Sequence, residues 1–419
     1  MRLLIGRALA ALATALIPTT LTLAVLRATG SGADLGLVLA AEMLPLLVFL
    51  PVGGVLADRL PPERVALVAD LTRCLAQAGI GVELLLGVTR ILDLAVLSAV
   101  SGIAIAFGSP AVPRLVALVV PEADRLRVNS RIGVATSLSS VLAPGLAGGI
   151  ALLAGPGWAA LLTGVLYACS ALTLGGIRTA RPEGPRPATG FVTELRDGWL
   201  EVRRRPWFLG SLLGHGVWHF MAGLFLTLAP MTAVRYLGGE AGWVLIVQAG
   251  TVGLVAGVFA APRLPIRRPI VAVQVSCTLY VLPMLALAVT APVWVIAVAY
   301  TLAMAGLGLL SPLWETVVAK ELPAESLGRV RAFDQLISFA SRPFGLAVAA
   351  PLAGFTGVGG LMVAGALLLV AANLAPIATK AARSTKSDSR TASQGGRRPP
   401  YPADGPSRET LTGRAAEAP

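Results

Sequence analysis

Charge is scarce in this chain of 419 residues: 13% are Asp, Glu, Lys or Arg, against 55% hydrophobic residues and a mean hydropathy of +0.77. Soluble domains carry about 25% charged residues, so an ordinary soluble domain is excluded. Cysteine is nearly absent, and Cys74, Cys169 and Cys277 lie far apart inside apolar runs. An odd, dispersed set makes neither a disulfide framework nor a zinc site, and these read as small core residues. Histidine is limited to His215 and His219. The chain also lacks a Walker P-loop, a GxSxG elbow, a GxGxxG turn and a metal-ligand cluster. An enzyme therefore has no visible machinery here, and neither a cofactor nor a metal is expected.

What is present is apolar length. A membrane crossing needs about 20 apolar residues, and the chain supplies about twelve such runs. They cover roughly 6–27, 36–57, 64–88, 92–119, 128–153 and 157–178, then roughly 207–234, 240–262, 269–290, 292–319, 329–353 and 357–378. The first begins like a leader peptide, but it continues to about Val25, beyond the length of an h-region. It is read as a span. The fold class expected is all-α and integral to the membrane, with the lipid bilayer as partner.

The formal charge of +12 follows topology. Basic residues crowd the even-numbered connections: Arg59 and Arg64, then Arg125, Arg127 and Arg131, then Arg263, Arg267 and Arg268, then Lys320, Arg329 and Arg331. The odd connections hold little beyond Arg27, Arg90 and Arg235. By the positive-inside rule both termini are expected in the cytoplasm of an inner-membrane protein. Charge dispersed over loops pinned to a membrane argues against nucleic-acid binding.

The runs fall into two sets of six. GVLADRLPPER from Gly54 is echoed by GVFAAPRLPIRR from Gly257, and residues 109–131 align without a gap on 311–333. Seven of those 23 pairs are identical, including Pro110/Pro312, Pro121/Pro323 and Arg127/Arg329. This is a tandem duplication with a period near 200 residues. The expected organisation is a six-helix bundle over 1–178, a linker over 179–206, a second bundle over 207–379 and a disordered tail over 380–419. In the linker, Phe191, Leu195, Trp199 and Val202 follow helical spacing opposite Arg196, Arg203 and Arg204, the pattern of a helix lying in the membrane interface. Two similar hydrophobic halves suit a transporter whose site alternates between the two sides.

The residues Gly54, Leu56, Ala57, Asp58 and Arg59, followed by Arg64, resemble the loop between spans 2 and 3 of the major facilitator superfamily. The phrases VADLTRCLAQ, TELRDGWLEVRRRPW and ELPAESLGRVRAFDQLISFASRPFGLAVAAPLAG resemble its drug-efflux-like branch, which includes macrolide and siderophore exporters. The basic half of the loop motif is weakened by Pro61, Pro62 and Glu63. SSVLAPGLAGG on span 5 resembles the antiporter motif of that family through Pro144, Gly148 and Gly149; a Pro-kinked packing helix accounts for the same residues. The resemblance implies that Asp58 latches the cytoplasmic side against the start of span 11, near Arg329 and Arg331. It also implies that spans 1, 4, 7 and 10 line a cavity, with Trp218 and Trp314 among the aromatic walls. Two features of proton-coupled relatives are missing: Ser98 stands where many carry Arg, and span 1 has no acid.

Ionisable side chains inside spans are costly and mark candidate sites. Arg342 is the deepest cation, suited to an anionic substrate group or to countering a carboxylate. Asp334, nearer the cytoplasm on the same span, is expected in a packing or hinge role. Asp70 and Arg73 stand three apart and are expected to pair locally. Glu42 and Glu83 are expected at the outer rim. His215 and His219, four apart, are expected to line the cavity, with proton transfer as the sharper alternative. The function expected is secondary active export of a small amphiphilic compound in exchange for protons, a drug-resistance activity. The alternatives are a proton-independent facilitator or importer, a transport-dead sensor and a membrane enzyme.

Overall fold

The computed structural model describes residues 2–176, 196, 199–200, 202–321 and 327–378, and among them no strand occurs. The first half contains α1 (Arg2–Thr29), α2 (Gly32–Arg59), α3 (Pro62–Leu86), α4 (Ile91–Val119), α5 (Glu122–Ala154) and α6 (Pro156–Leu174). The second contains α7 (Pro206–Tyr236), α8 (Gly239–Ala260), α9 (Pro269–Thr278), α10 (Val281–Ala288), α11 (Val293–Glu321) and α12 (Leu327–Ala378). Local chemistry sets several boundaries. Proline sits in the first turn of α3, α6, α7 and α9, where its missing N–H costs nothing. Gly87 ends α3 with φ 71°, its N–H bonded to the Glu83 carbonyl, a left-handed cap that glycine adopts without strain.

Eleven apolar stretches among the described residues are long enough to cross a membrane. The helices α9 and α10 together make one crossing, Pro269–Ala288. The last stretch, Leu336–Ile377, has 42 residues, or about 63 Å of helix, twice the thickness of the hydrocarbon layer. Within α12, Gly357 leaves helical geometry at φ 71°, ψ 158°. The stretch therefore crosses twice, and the chain is an all-helical protein of about twelve spans with an internal repeat.

The repeat is visible in the packing. In the first half α2 packs on α4, and in the second α8 packs on α11. Gly53 faces the Ala106 carbonyl across the first pair, and Gly257 faces the Ala305 carbonyl across the second. A methyl group at either position would collide with backbone, so these glycines set how closely the helices approach. Burial is led by Tyr167, Leu16 and Ile17 in the first half and by Tyr280, Phe208 and Phe225 in the second.

The halves meet at the end that carries the turns after α1 and α7, the turn end. There Arg27 forms a two-pronged ion pair with Glu240, one bond at 2.6 Å, and Arg235 donates to the Gly30 carbonyl at 3.2 Å. Gly32 lies against Met231, Gly36 against Leu346 and Gly148 against Val244. The opposite end, where α1 begins, is the terminal end. Toward it, α5 changes from buried Ala143, Ala147 and Ala151 to exposed Gly133, Val134 and Leu138. The Arg27–Glu240 pair, the Arg235 bond and the glycine contacts join the two halves at the turn end.

Part of the linker lies among the described residues. Phe191 and Leu195 lie outside the described residues, while Val202 is fully buried and Trp199 packs on Phe333 with ring centroids 5.8 Å apart. This part packs on the second half through Val202 and Trp199, while Leu200 is exposed. The expected tail, 380–419, lies outside the described residues.

Candidate functional site

A cavity of about 440 Å³ opens on the first half between α1, α3, α4 and α5. Its wall combines small apolar residues, six of them alanine, with seven polar side chains: Arg7, Thr14, Asp70, Arg73, Ser109, Thr136 and Ser140. Their wiring corrects the expected Asp70–Arg73 pair. Asp70 is joined to Arg7 of α1, and both are buried. Ser170 of α6 completes the triangle, accepting from Arg7 at 2.8 Å and donating to Asp70 at 2.7 Å. Arg73 turns away, donates to Thr14 Oγ1 at 2.8 Å and lies 4.1 Å from the centre of the Tyr167 ring. Thr14 and the Tyr167 hydroxyl are 2.9 Å apart. The physical reason is reach: a partner on α1 bonds Asp70 across the bundle and fills its burial shell, whereas an i,i+3 neighbour lies beside it on the helix surface. Pairing with bonds on both partners is what a buried carboxylate requires.

Glu42 also differs from expectation. It stands about 15 Å along α2 from the turn end, half-buried, and interacts electrostatically with Arg73 and Tyr167. It belongs to the membrane interior and not to the rim. The first half thus balances Arg7 and Arg73 against Asp70 and Glu42.

The second half has different chemistry. His215 meets the edge of Trp314 at 4.7 Å, and His219 packs between Trp218 at 4.9 Å and Phe339 at 4.2 Å. Neither His215 Nε2 nor His219 Nδ1 has a hydrogen-bond partner. Arg342 acts electrostatically on His219, Tyr280 and Tyr300. Trp218 and Trp314, expected as open cavity walls, are 5% and 6% exposed and belong to the core of this half. Trp314 is held there by stacking on Phe208 at 5.5 Å and by donating to Asp334 at 2.7 Å. Asp334 also accepts from Ser338 at 3.2 Å, so it fastens α11 to α12. No group of three or more metal-ligating side chains occurs among the described residues.

The motif residues are placed as follows. Helix α2 carries Gly54, Asp58 and Arg59 to its end, and their side chains lie outside the described residues; so does that of Arg329. Arg64 is exposed and borders an apolar crevice of about 410 Å³ with Val68 and Phe107. On α5, Pro144 is buried, Gly148 lies against Val244 of α8, and nothing stands within 4 Å of a side chain added at Gly149. Sequence reasoning passed over Gln248 of α8, which donates to the Val141 carbonyl at 2.6 Å and accepts from the Gly145 N–H at 2.8 Å. A lone amide inside an apolar run was the available signal. Arg7 and Thr14 were passed over as well.

Two repeat-related helical bundles joined at one end, with a polar cavity on the first, have the architecture of the secondary-transporter type. The sequence matches the Major Facilitator Superfamily over residues 3–346, and the chain belongs to that family. The fold agrees with solved members at low identity. The peptide transporter PepTSo superposes with a TM-score of 0.75 at 12% identity, covering 92% of this chain and 97% of its own. For the nucleoside transporter NupG the values are 0.69, 12%, 90% and 99%, and for a D-xylose-proton symporter 0.65, 15%, 90% and 96%. A curated relative, the multidrug efflux pump Tap of Mycolicibacterium fortuitum, is 28% identical over 236 residues, 53% of this chain. That match spans 57% of the relative's length. The family and the fold of about twelve spans make this an integral membrane protein.

Proposed function

We propose that the protein is an exporter of small amphiphilic compounds, driven by proton exchange, in the cell membrane with both termini cytoplasmic. One observation carries this reading. The turn end is closed by bonds between the halves, while the polar cavity opens toward the terminal end, where the basic loops crowd. With that end cytoplasmic by the positive-inside rule, the cavity is ready to load from inside the cell. Eleven of the eighteen lining residues are apolar, and the charged ones are already paired or bonded within the first half, which suits an amphiphile with an apolar body. The relative described as a multidrug efflux pump supports the same direction. Asp58 is assigned the latch that closes the cytoplasmic side when the turn end opens.

The second reading, a facilitator without proton coupling, has its own support: Ser98 in place of the span-4 Arg, and α1 without an acid. The test is accumulation of a panel of fluorescent amphiphiles in pump-deficient cells expressing the chain, with and without an uncoupler. Export predicts lowered accumulation that the uncoupler restores. Lowered accumulation unaffected by the uncoupler selects the facilitator, and no effect despite good membrane expression contradicts both.

A further inference from the structure

The two halves handle their buried cations differently. In the first, Arg7 is paired with Asp70, and Arg73 is bonded to Thr14, covered by Tyr167 and balanced by Glu42. In the second, Arg342 stands about 22 Å from the start of α12 and about 22 Å from its break at Gly357, inside the apolar stretch that begins at Leu336. No carboxylate pairs with it among the described residues, no aromatic ring covers it, and its Nε is buried without a hydrogen-bond partner. The same half contributes the unpartnered Nε2 of His215, a side chain 7% exposed, and the unpartnered Nδ1 of His219. The nearest acid on its own helix, Asp334, is about 12 Å away along the axis and is bonded to Trp314 and Ser338.

A guanidinium inside an apolar span is costly unless an anion accompanies it. Its planar fork matches a carboxylate through two parallel bonds. Around it the surfaces are aromatic: Phe339 one turn earlier, 41% exposed, with His219 against it and Trp218 and Tyr280 behind. We infer that Arg342 is a binding site for the anionic group of the transported molecule, and that the preferred substrate is an amphiphile carrying a carboxylate on an aromatic or apolar body. The carboxylate docks on Arg342 and the unpartnered Nδ1 of His219 adds a hydrogen bond, while the body lies along Phe339 and toward the cavity of the first half. This rests on the transport reading above and narrows its substrate class from amphiphiles in general to organic anions.

The experiment uses three probes with one fluorescent body: pyrenebutyrate, pyrenebutanol and pyrenebutylammonium. Each is measured for binding to the purified full chain in nanodiscs of zwitterionic lipid, which lack anionic headgroups, and for movement into proteoliposomes. The expected result is at least a tenfold preference for pyrenebutyrate in the wild type. That preference is lost in Arg342→Gln and partly kept in Arg342→Lys, with both variants eluting as the wild type does on size exclusion. Equal or better handling of the alcohol or the ammonium by the wild type overturns the anion site and leaves transport standing, whatever the variants do. An anion preference that survives in Arg342→Gln overturns the assignment to Arg342. Failure to move any of the three contradicts the site and the transport reading together.

Discussion

Gln248 on α8 holds Gly145 on α5 through a 2.8 Å bond from the Gly145 N–H, while its amide nitrogen donates to the Val141 carbonyl at 2.6 Å. Gly145 and Val141 are the i and i−4 partners of one helical bond, just past the Pro144 kink. The side chain of one half is therefore inserted into the backbone ladder of the other. Pro144 frees the Ser140 carbonyl, one position earlier; Gln248 bonds the next N–H and carbonyl of the same helix. The closed turn end depends on this insertion.

Replacing the amide by an isosteric apolar group tests that dependence. In Gln248→Leu both inter-half bonds disappear, a net loss of about 1 kcal/mol. The closed conformation should fall about fivefold relative to the open one. The reporter is a Val244→Cys substitution in a background without Cys74, Cys169 and Cys277, because Val244 packs on Gly148 in the closed state. Alkylation at that site should accelerate in Gln248→Leu; an unchanged rate removes Gln248 from the closure.

The two glycines of the antiporter-like motif should behave differently. A side chain added at Gly148 meets Val244, whereas nothing lies within 4 Å of one added at Gly149. Gly149→Ala is expected to be neutral or to stabilise by about 0.5–1 kcal/mol, since glycine weakens a helix interior. Gly148→Leu should push α8 away and cost about 1–3 kcal/mol. Thermal unfolding in detergent reads both, and equal effects would contradict the packing described.

Asp70 should prove structural through Arg7 and not through Arg73. Removing one partner of a buried pair costs about 3–5 kcal/mol, so Asp70→Ala and Arg7→Ala should each lower the melting temperature sharply. Their combination should cost less than the sum. Arg73→Ala loses one hydrogen bond and a ring contact worth about 0.5–2 kcal/mol, a milder change. A double mutant that is fully additive would mean that the Arg7–Asp70 bond contributes nothing.

Asp58→Asn should abolish transport with normal expression and folding, because the latch is needed only when the cytoplasmic side closes. Near-normal flux in that variant would take the latch out of the mechanism.

Much of this architecture was legible in the chain, because a bilayer enforces it. Apolar length alone marks each crossing, and the tandem offset linking Gly54 to Gly257 divides the spans into halves. Span 11 and span 12 were separable in the sequence although their helices run continuously up to Gly357. The site was less legible. Helical periodicity compares residues a few positions apart, so it paired Asp70 with Arg73 and missed Arg7, 63 positions away. Glu42 and Gln248 were misjudged or missed for the same reason, since their environments are made by other helices. Arg342 stood out because a deep cation is conspicuous in any apolar run; that it lacks a counter-charge is a property of the fold alone.

The central claim is coupled export, and flux in sealed proteoliposomes containing only the purified full chain tests it most directly. With the lumen more acidic than the bath, molecules with their cytoplasmic face outward should concentrate a fluorescent amphiphile inside. An uncoupler should collapse that gradient, and Asp58→Asn should prevent it from forming. Entry that stops at equal concentrations and proceeds at the same rate without a proton gradient would contradict the account and identify a facilitator.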